Sequence, residues 1–302
     1  LDEADRMLEM GFQEDIQKIS SFIPKIRQTL LFSATYPETI KELAQGLLKN
    51  PEFVKVDVKH QKDKIKQLFF EVPDHKKKKE TLPQLLDQFN PRSVLIFCKT
   101  KQICQDVVKT LNKKGLYALA IHGDLEQKDR TLVLTKFSNE SCRLLVATDV
   151  AARGLDIKNL GAVINYDLPH DTEVYTHRIG RTGRADKEGL ALNLFTSKEK
   201  AFLEELDESS FSFETPSSEG SFDSTPPMET LLIFGGKKNK IRPGDILGAL
   251  TGDAGIPGKS VGNINLLDRY CYVAVEKALS QKALIQLQNG KIKGRKFRVS
   301  KT

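Results

Sequence analysis

The sequence lacks the features that would place the chain in a membrane. No apolar run is long enough to span a bilayer. The first residues show no charged stretch followed by an apolar one, which is the pattern of a secretory signal peptide. These absences predict a cytoplasmic protein with no membrane partner.

Cysteine is scarce and scattered. The chain has no Cys-x-x-Cys pair, and its four cysteines stand at Cys98, Cys104, Cys142 and Cys271. This spacing favours neither a disulfide framework nor a zinc site. The sequence therefore predicts a reduced setting and no disulfide-linked partner.

Basic residues are missing from one segment and concentrated in the next. Residues 207–227 contain no Lys or Arg and are rich in Ser, Glu, Asp, Pro and Thr. A segment of that composition buries too little surface to fold, which predicts a flexible acidic linker. Residues 228–302 carry 14 Lys and Arg against 5 Asp and Glu, whereas the remainder carries 33 against 35. Such a basic tail predicts an acidic partner, most often nucleic acid.

Apolar runs alternate with helical patterns between residues 64 and 206. The spacing of four between Ile103, Val107 and Leu111 predicts one of the helices. Strand–helix alternation predicts an α/β domain with a parallel sheet covered by helices on both faces. The predicted strands are Leu68–Val72, Val94–Cys98, Tyr117–Ile121, Leu144–Ala147, Ala162–Asn165 and Ala191–Phe195.

Shorter pieces flank this domain. Residues 1–58 resemble the end of another such unit, with strands at Thr29–Phe32 and Phe53–Val58 and a helix at Pro37–Leu48. The polar, Lys-rich residues that follow predict a linker. At the other end, residues 228–302 show a βαββαβ order, which predicts a small split-βαβ sheet of the α+β class.

Polar motifs follow several predicted strands. Lys99 and Thr100 follow the second strand, Gly123 follows the third, and Thr148 follows the fourth. Because ligands bind beyond the carboxyl ends of strands in open parallel sheets, these motifs are expected on one rim. A lone residue at a strand end, such as His122, is more often an ordinary turn residue than a catalyst. Packing alone, however, does not explain why so many polar motifs follow the strands of one sheet.

A carboxylate pair, Asp2 and Glu3, opens the chain. Mg²⁺ takes oxygen ligands, keeps several waters and bridges phosphates. One acidic residue can hold that shell while its neighbour polarises an attacking water. A solvated acidic start of a helix explains the same two residues equally well.

Arginines recur at a spacing of three in Arg178-x-x-Arg181-x-x-Arg184. On a helical turn this spacing keeps the side chains near one another, and Gly180 and Gly183 allow close approach of the backbone. Arginines so placed can stabilise charge on a transferring phosphoryl group. The alternative is a solvated arginine face.

Taken together, these strings resemble the DEAD-box RNA helicases. The resemblance covers residues 1–206 and implies two RecA-like domains with ATP and Mg²⁺ between them and RNA across both. The matching strings, in chain order, are Asp2-Glu3-Ala4-Asp5, Ser33-Ala34-Thr35, Ala152-Arg153-Gly154-x-Asp156 and His177-Arg178-x-Gly180-Arg181-x-x-Arg184.

The resemblance implies roles at the ATP site for five positions. Asp2 and Glu3 would handle Mg²⁺, through water, and the attacking water itself. Asp156 would accept the ribose, and Arg181 and Arg184 would act as arginine fingers on the γ-phosphate.

The resemblance also implies residues that couple the sites and residues that contact RNA. The coupling residues would be Asp5, Ser33, Thr35, Arg153 and His177. The contacts to the RNA backbone would be Lys99, Thr100, Gly123, Gln127, Arg130 and Thr148.

The tail resembles the RNA-binding domain of the DbpA subfamily, a variant of the RRM fold linked to large-subunit ribosomal RNA. Asp268 and Arg269 fill the first two places of the RRM pattern and depart from it, whereas Tyr270 and Tyr272 fit. Both aromatics are expected at the RNA-binding surface, one stacking on a base and the other packing. Phosphate contacts are expected at Lys237, Lys238, Lys240, Arg242, Lys259, Arg269, Lys291, Lys293, Arg295 and Lys296.

The family also implies a glycine-rich phosphate loop ahead of Asp2. No residue precedes Leu1 in this sequence, so the chain alone is expected to lack ATPase activity. Gly252 to Ser260 is a near match to that loop, but it has five residues between its glycines where the motif needs four. We therefore expect it to be a loop of the tail.

Three functions follow from the sequence. The leading one is an RNA-stimulated ATPase and RNA helicase that remodels structured RNA, with ribosomal RNA in ribosome assembly as the implied target. The alternative is that this chain, as it stands, is a non-catalytic RNA-binding fragment. A weaker third is a scaffold that binds proteins through the acidic segment.

Overall fold

The computed structural model describes residues 1–33, 35–55, 64–152, 157, 159–183, 188–217, 219–252 and 255–302. The chain divides into two compact units, Leu1–Asp57 and Val58–Thr302. In the described ranges, no helix has the length and apolar character of a membrane-spanning segment.

The first unit is a small cluster of helices. They are α1 (Ala4–Glu9), α2 (Gln13–Phe22) and α3 (Glu38–Leu47). Helix α3 confirms the helix predicted at Pro37–Leu48. The helices pack because Ile16 and Ile40 bury their side chains together in one apolar core.

The strands predicted in the first unit are wrong where the structure describes them. Thr29–Phe32 is extended but joins no sheet, because its backbone bonds reach only the first residues of the chain. Phe32 N–H donates to the Leu1 carbonyl at 2.9 Å, and the Phe32 carbonyl accepts from Ala4 N–H at 3.0 Å. Residues 53–55 form no strand either, and residues 56–63 lie outside the described ranges.

The second unit is built on a parallel sheet of order β3-β4-β2-β5-β6-β1-β7. Strands β2, β4 and β5 are buried along their whole length, as expected for a parallel sheet covered on both faces. Each strand predicted between residues 64 and 206 is confirmed. The strands are β1 (Ile65–Glu71), β2 (Val94–Phe97), β3 (Ala118–Ile121), β4 (Leu144–Ala147), β5 (Ala162–Asn165), β6 (Gly189–Phe195) and β7 (Ser212–Phe213).

Helices cover both faces of this sheet, which confirms the predicted α/β class. Val94 and Ile96 of β2 pack in one apolar cluster, and the intervening Leu95 and Phe97 pack in another. The helices of this part are α4 (His75–Phe89), α5 (Lys101–Lys113), α6 (Gln127–Ser138), α7 (Asp149–Ala152), α8 (Thr172–Ile179) and α9 (Lys200–Glu204).

Helix α4 is not evident from the sequence. A run of lysines and an internal Pro83 hide its apolar stripe. Its ends are well formed, since the Asp74 carboxylate accepts the Lys77 N–H at 2.8 Å and Asn90 adopts a left-handed C-cap. Its apolar stripe, which includes Leu82, Leu85 and Leu86, is buried in the core of the large sheet.

The acidic segment, residues 207–227, differs from its prediction as a flexible linker. It adds β7 in parallel beside β1, and Phe222 enters the apolar core of the large sheet. The Phe222 ring also lies 4.6 Å from the Arg143 guanidinium carbon. The prediction failed because average composition conceals three phenylalanines, each with a large apolar surface to bury.

Backbone contacts hold the same segment to helix α4. Phe222 N–H donates to the Asp87 carboxylate at 2.8 Å, and Ser217 N–H donates to the Gln88 side chain at 3.0 Å. Gly220 has φ of 115°, and a Cβ there would lie 2.3 Å from the Asp87 carbonyl oxygen. Only glycine fits so close an approach.

Phe222→Ala is expected to lower the free energy of unfolding by about 3 kcal/mol, because it empties a buried ring site. It should also release the acidic segment to proteases. Phe213→Ala is the matched control, because the Phe213 ring is 61% exposed. Urea denaturation with limited proteolysis measures both effects. Equal stability losses in the two variants would contradict the anchoring role of Phe222.

The tail forms the predicted split-βαβ sheet, with strand order β11-β8-β10-β9. Leu231, Ile233 and Val273 face helices α10 and α11 in a separate apolar core. The elements are β8 (Met228–Ile233), α10 (Pro243–Thr251), β9 (Val261–Leu266), β10 (Cys271–Glu276), α11 (Ser280–Asn289) and β11 (Val299–Lys301).

Candidate functional site

The first unit brings Asp5, Ser33 and Thr35 together. The Asp5 carboxylate accepts the Thr35 N–H at 3.1 Å and the Thr35 hydroxyl at 3.2 Å. The Asp5 N–H donates to the Ser33 hydroxyl at 3.2 Å. Asp5 is buried, so the two strings share one buried hydrogen-bonded junction. The coupling role of these residues stays a prediction.

Asp2 and Glu3 are exposed beside this junction. The Asp2 carboxylate accepts the Glu3 N–H at 3.0 Å, and Glu3 has a left-handed φ of 51°. Across the described residues, no group of three or more metal-ligating side chains occurs. Two open carboxylates fit an ion that keeps its waters, which is how Mg²⁺ binds. Their role there remains a prediction.

The rim of the large sheet carries the motifs predicted to contact RNA. The Thr100 hydroxyl accepts the Ile103 N–H at 3.2 Å and so caps α5, and this cap fixes Lys99 at the carboxyl end of β2. A Cβ at Gly123 would meet no atom within 4 Å, so the backbone there is open. Thr148 follows β4, the neighbour of β2 and β3, on the same rim.

Gln127 and Arg130 lie in the first turn of α6. Gln127 is exposed, whereas Arg130 is half-buried and donates to the Ala151 carbonyl at 2.7 Å. This bond ties α6 to α7. Arg130 therefore helps to fix the position of α7, which follows β4 at the rim.

The arginine string is divided by the end of a helix. Helix α8 ends at Ile179 and Gly180 is its C-cap, so Arg178 and Arg181 do not share a helical face. Arg181 N–H still donates to the Arg178 carbonyl at 3.2 Å in the turn after the helix, and Arg184 lies outside the described residues. The predicted cluster of three arginines therefore stays a prediction. Gly183 has φ of 70°, and a Cβ there would lie 2.5 Å from Ile65 Cγ1, which confirms the close approach predicted for it.

Arg178 is buried and pairs with the rim. Its Nε and Nη2 donate to the two Asp149 carboxylate oxygens, each at 2.7 Å. Its Nη1 donates to Asn165 Oδ1 and to the Asp167 carbonyl, both at 2.8 Å. A bidentate pair fixes both direction and distance. Arg178 thus links the carboxyl ends of β4 and β5, which lie on either side of β2.

The remaining ATP-site predictions are only partly described. Arg181 is half-buried just beyond α8, and His177 is exposed on α8. Arg153, Asp156 and Arg184 lie outside the described residues. Their roles stay predictions.

A buried ionic cluster escaped the sequence analysis. Lys78 Nζ lies 3.0 Å from Glu199 Oε2 and 3.7 Å from Asp167 Oδ1. The other Asp167 oxygen accepts the Lys99 N–H at 3.0 Å. The cluster therefore supports the backbone of the Lys99–Thr100 motif. The spacing Thr196-x-x-Glu199 is a capping-box signal, but nothing in a run of four lysines marks Lys78 as buried.

The cluster also controls the protonation of Glu199. Burial alone would raise the pKa of this carboxyl, but the charge of Lys78 and hydrogen bonds from Lys78 and Thr196 hold it below its ordinary value. A depressed pKa contributes stability above the unfolded pKa, about 4.3, and this contribution is lost as pH falls through the folded pKa.

Glu199→Gln is expected to lower the free energy of unfolding at pH 7 by about 3 kcal/mol, because the buried Lys78 loses its nearer countercharge and keeps only Asp167 at 3.7 Å. The difference from wild type should shrink on acidification, since the wild type then loses the same charge. Urea midpoints at neutral and acidic pH measure this. Glu204→Gln, at an exposed site on α9, is the control. A difference that does not change with pH would contradict the assignment.

The tail gathers part of its predicted basic set at one end. Lys237 N–H donates to the Leu267 carbonyl and Lys238 N–H to the Asp268 carbonyl, both at 2.9 Å, which places these lysines beside Arg269. Lys293, Arg295 and Lys296 are also exposed, and Lys293 Nζ donates to the Lys240 carbonyl at 2.7 Å. Lys259 lies at the opposite end of β9 and does not join this group.

Tyr272 corrects one RNA prediction. Its side chain is 2% exposed, so no ring face is open for base stacking. Burial raises the pKa of its hydroxyl, and Tyr270 and the Asp129 carboxylate of α6 raise it further. Tyr270 is half-buried and lies 5.6 Å from the Tyr272 ring.

Comparison with known proteins decides the family. Residues 77–186 match the helicase conserved C-terminal domain, residues 230–301 the DbpA RNA binding domain, and residues 1–43 the DEAD/DEAH box helicase family. The ATP-dependent RNA helicase DbpA of Bacillus subtilis is 35% identical over 100% of this chain and 68% of its own length. The chain belongs to the DEAD-box helicases. The DbpA of Escherichia coli is 47% identical over 99% of this chain and 66% of its own length.

Two further relatives match part of the chain. The helicase CshA of Bacillus licheniformis is 48% identical over 69% of this chain and 43% of its own length. The structure of Saccharomyces cerevisiae Dbp5 bound to RNA and ADP BeF3 matches with a TM-score of 0.61 and 28% identity, over 72% of this chain and 59% of that one. The chain thus spans about two thirds of the length of the DbpA relatives.

Proposed function

We propose that this chain forms part of an ATP-dependent RNA helicase that remodels structured RNA in the cytoplasm. Asp2 and Glu3 would handle Mg²⁺ and the attacking water, and Arg181 would stabilise the γ-phosphate. The RNA proposed as target is large-subunit ribosomal RNA during ribosome assembly. The match of the tail to the DbpA RNA binding domain supports this choice.

One observation carries the proposal. Both strings of the first unit meet in one hydrogen-bonded junction at Asp5, and the strings of the second unit meet on one rim through Arg178 and Asp149. Motifs scattered along a chain for structural reasons would not converge in this way. An RNA-driven ATPase needs both groups of motifs, because ATP hydrolysis at one site must change RNA binding at the other.

The test is displacement of a labelled strand from a short duplex beside a structured RNA. It uses a longer polypeptide that includes a phosphate-binding loop upstream of Asp2. We expect ATP to drive displacement and a non-hydrolysable ATP analogue to fail. Equal displacement with both nucleotides, or with neither, would contradict the helicase function.

The alternative is RNA binding without catalysis by the chain as it stands. Its support is the exposed basic end of the tail, which is built entirely from residues 228–302. If the tail neutralises about five phosphates of a single-stranded RNA, a rise from about 50 to 200 mM salt should weaken binding roughly 100-fold. Fluorescence anisotropy with a labelled RNA measures this, and a flat salt response would contradict a phosphate contact.

A further inference from the structure

The outer face of the tail sheet is where an RNA would be sought first. Side chains alternate along β8, and Leu231 and Ile233 point into the core of the tail. Thr230, Leu232 and the next residue of that series, Phe234, therefore lie on the opposite, outer face. Tyr272 pairs with Leu232 across the sheet and shares this face.

One half of the outer face is covered by the large-sheet part of the same unit. Thr230 is fully buried, its hydroxyl lies 2.7 Å from the Ser141 hydroxyl, and it accepts from the Asn139 side chain at 3.3 Å. Lys136 Nζ donates to the Thr302 carbonyl at 3.0 Å. We call residues 136–141 the docking turn.

The docking turn explains the burial of the outer face. Ala274, which pairs with Thr230, is 1% exposed. Asn263 on β9 donates to the Ser138 carbonyl at 3.3 Å, so the covered area extends across three strands. Bases cannot stack on this half of the sheet while the tail is docked.

The other half of the outer face is open and lies beside the basic end. Phe234 is 44% exposed, and the Arg298 guanidinium carbon lies 4.9 Å from its ring centroid. The Phe234 N–H donates to the Arg298 carbonyl at 2.9 Å, which extends the β8–β11 pairing. Tyr270 precedes β10 opposite Phe234, as the pairing of Cys271 with Ile233 requires.

A close backbone contact fixes the basic loop beside Phe234. A Cβ at Gly236 would lie 2.2 Å from the Leu267 carbonyl oxygen, so glycine is required there. The Lys237 and Lys238 side chains thus project from a defined loop next to an exposed aromatic ring. Aromatic rings flanked by cations are the usual elements of single-stranded RNA sites.

We propose that the tail sheet is divided between two partners. The Thr230–Tyr272 half binds the docking turn, and the Phe234–Tyr270 end, with Lys237, Lys238 and Arg269, binds single-stranded RNA while the tail stays docked. Phe234 is the stacking residue of this site. This inference rests on the proposed RNA-binding function and adds its location and geometry.

A disulfide across the docking turn tests the division. Ser141 and Thr230 are chosen because their hydroxyl oxygens lie 2.7 Å apart, near the separation of about 2.05 Å between two bonded sulfurs. Ser141→Cys with Thr230→Cys in the full chain should close on oxidation, and each single variant serves as control. The native cysteines are all buried.

RNA binding is then compared in the oxidised and reduced double variant, using a labelled single-stranded RNA. We expect the same affinity within about twofold in both states. Binding that disappears on oxidation and returns on reduction, or a disulfide that fails to form, would overturn the division of the sheet. Absence of binding in both states would overturn the proposed RNA-binding function itself.

Substitution of Phe234 tests the RNA site independently of docking. Phe234→Ala should weaken RNA binding roughly 5- to 100-fold, the range expected for loss of one stacked base. Ile285→Ala is the matched control, because Ile285 is an exposed apolar residue of α11, on the helical side of the tail, with 48% exposure. A loss caused by Ile285→Ala and not by Phe234→Ala would place RNA on the helices and overturn the proposal.

Discussion

An Arg181→Ala variant is expected to hydrolyse ATP at least about a thousandfold more slowly than wild type at saturating ATP and RNA. The reason is electrostatic, since a fixed guanidinium stabilises the charge that spreads over the transferring phosphoryl group. The measurement is kcat in the longer polypeptide that carries a phosphate loop. Arg181→Lys should not restore the rate, because an ammonium lacks the planar donor fork.

Stability is the control for this loss. Arg181 is only half-buried, so its removal should change the free energy of unfolding by less than about 1 kcal/mol. A variant that hydrolyses ATP as fast as wild type would contradict the finger role. So would a variant whose lost activity follows its unfolding curve.

An Arg178→Ala variant is expected to lose about 3–5 kcal/mol of unfolding free energy, because a buried ion pair is broken from one side. The Asp149 carboxylate would lose the two guanidinium donors of Arg178, and the Asn165 side chain would lose one. Urea denaturation of the full chain measures the effect. Arg178→Lys should lose most of the same free energy, since it cannot make the bidentate contact.

Arg92→Ala is the matched control for the buried pair. Arg92 lies 2.6 Å from a Glu140 oxygen, but its side chain is 74% exposed. An exposed pair contributes at most about 1 kcal/mol. Equal losses in the Arg92 and Arg178 variants would contradict the view that Arg178 holds the rim through a buried contact.

The two arginines Arg178 and Arg181 show what the sequence can and cannot predict. The string that contains them resembles a known family closely enough to suggest a phosphate site. Its spacing also suggests a shared helical face, but helix α8 ends between them. The structure divides them into a buried arginine, Arg178, and a half-buried arginine beyond the helix, Arg181. This division depends on where the helix ends, and Gly180 as C-cap sets that point.

The parallel strands were predictable because their signal is local. Strands such as β4 and β5 are continuous apolar runs, since both of their faces are buried. Burial of polar residues is not local. Lys78 is one of four consecutive lysines, and its burial depends on Glu199 and Asp167, which lie far away in the chain.

Tertiary contacts also overrode composition in the acidic segment and the tail. Phe222 is buried in the core of the large sheet, although its polar neighbours in the sequence do not predict this. Tyr272 fits an RNA-binding pattern, yet it is buried on the sheet face against which α6 ends. In both cases the deciding surface belongs to another part of the fold.

The proposed function requires that RNA binding stimulates ATP hydrolysis in one enzyme. The most direct measurement is the rate of ATP hydrolysis by the longer polypeptide as RNA is added. The account predicts a rate that rises with RNA and saturates at the RNA concentration that fills the binding site. A rate that is the same with and without RNA, from a protein that binds both ligands, would contradict it.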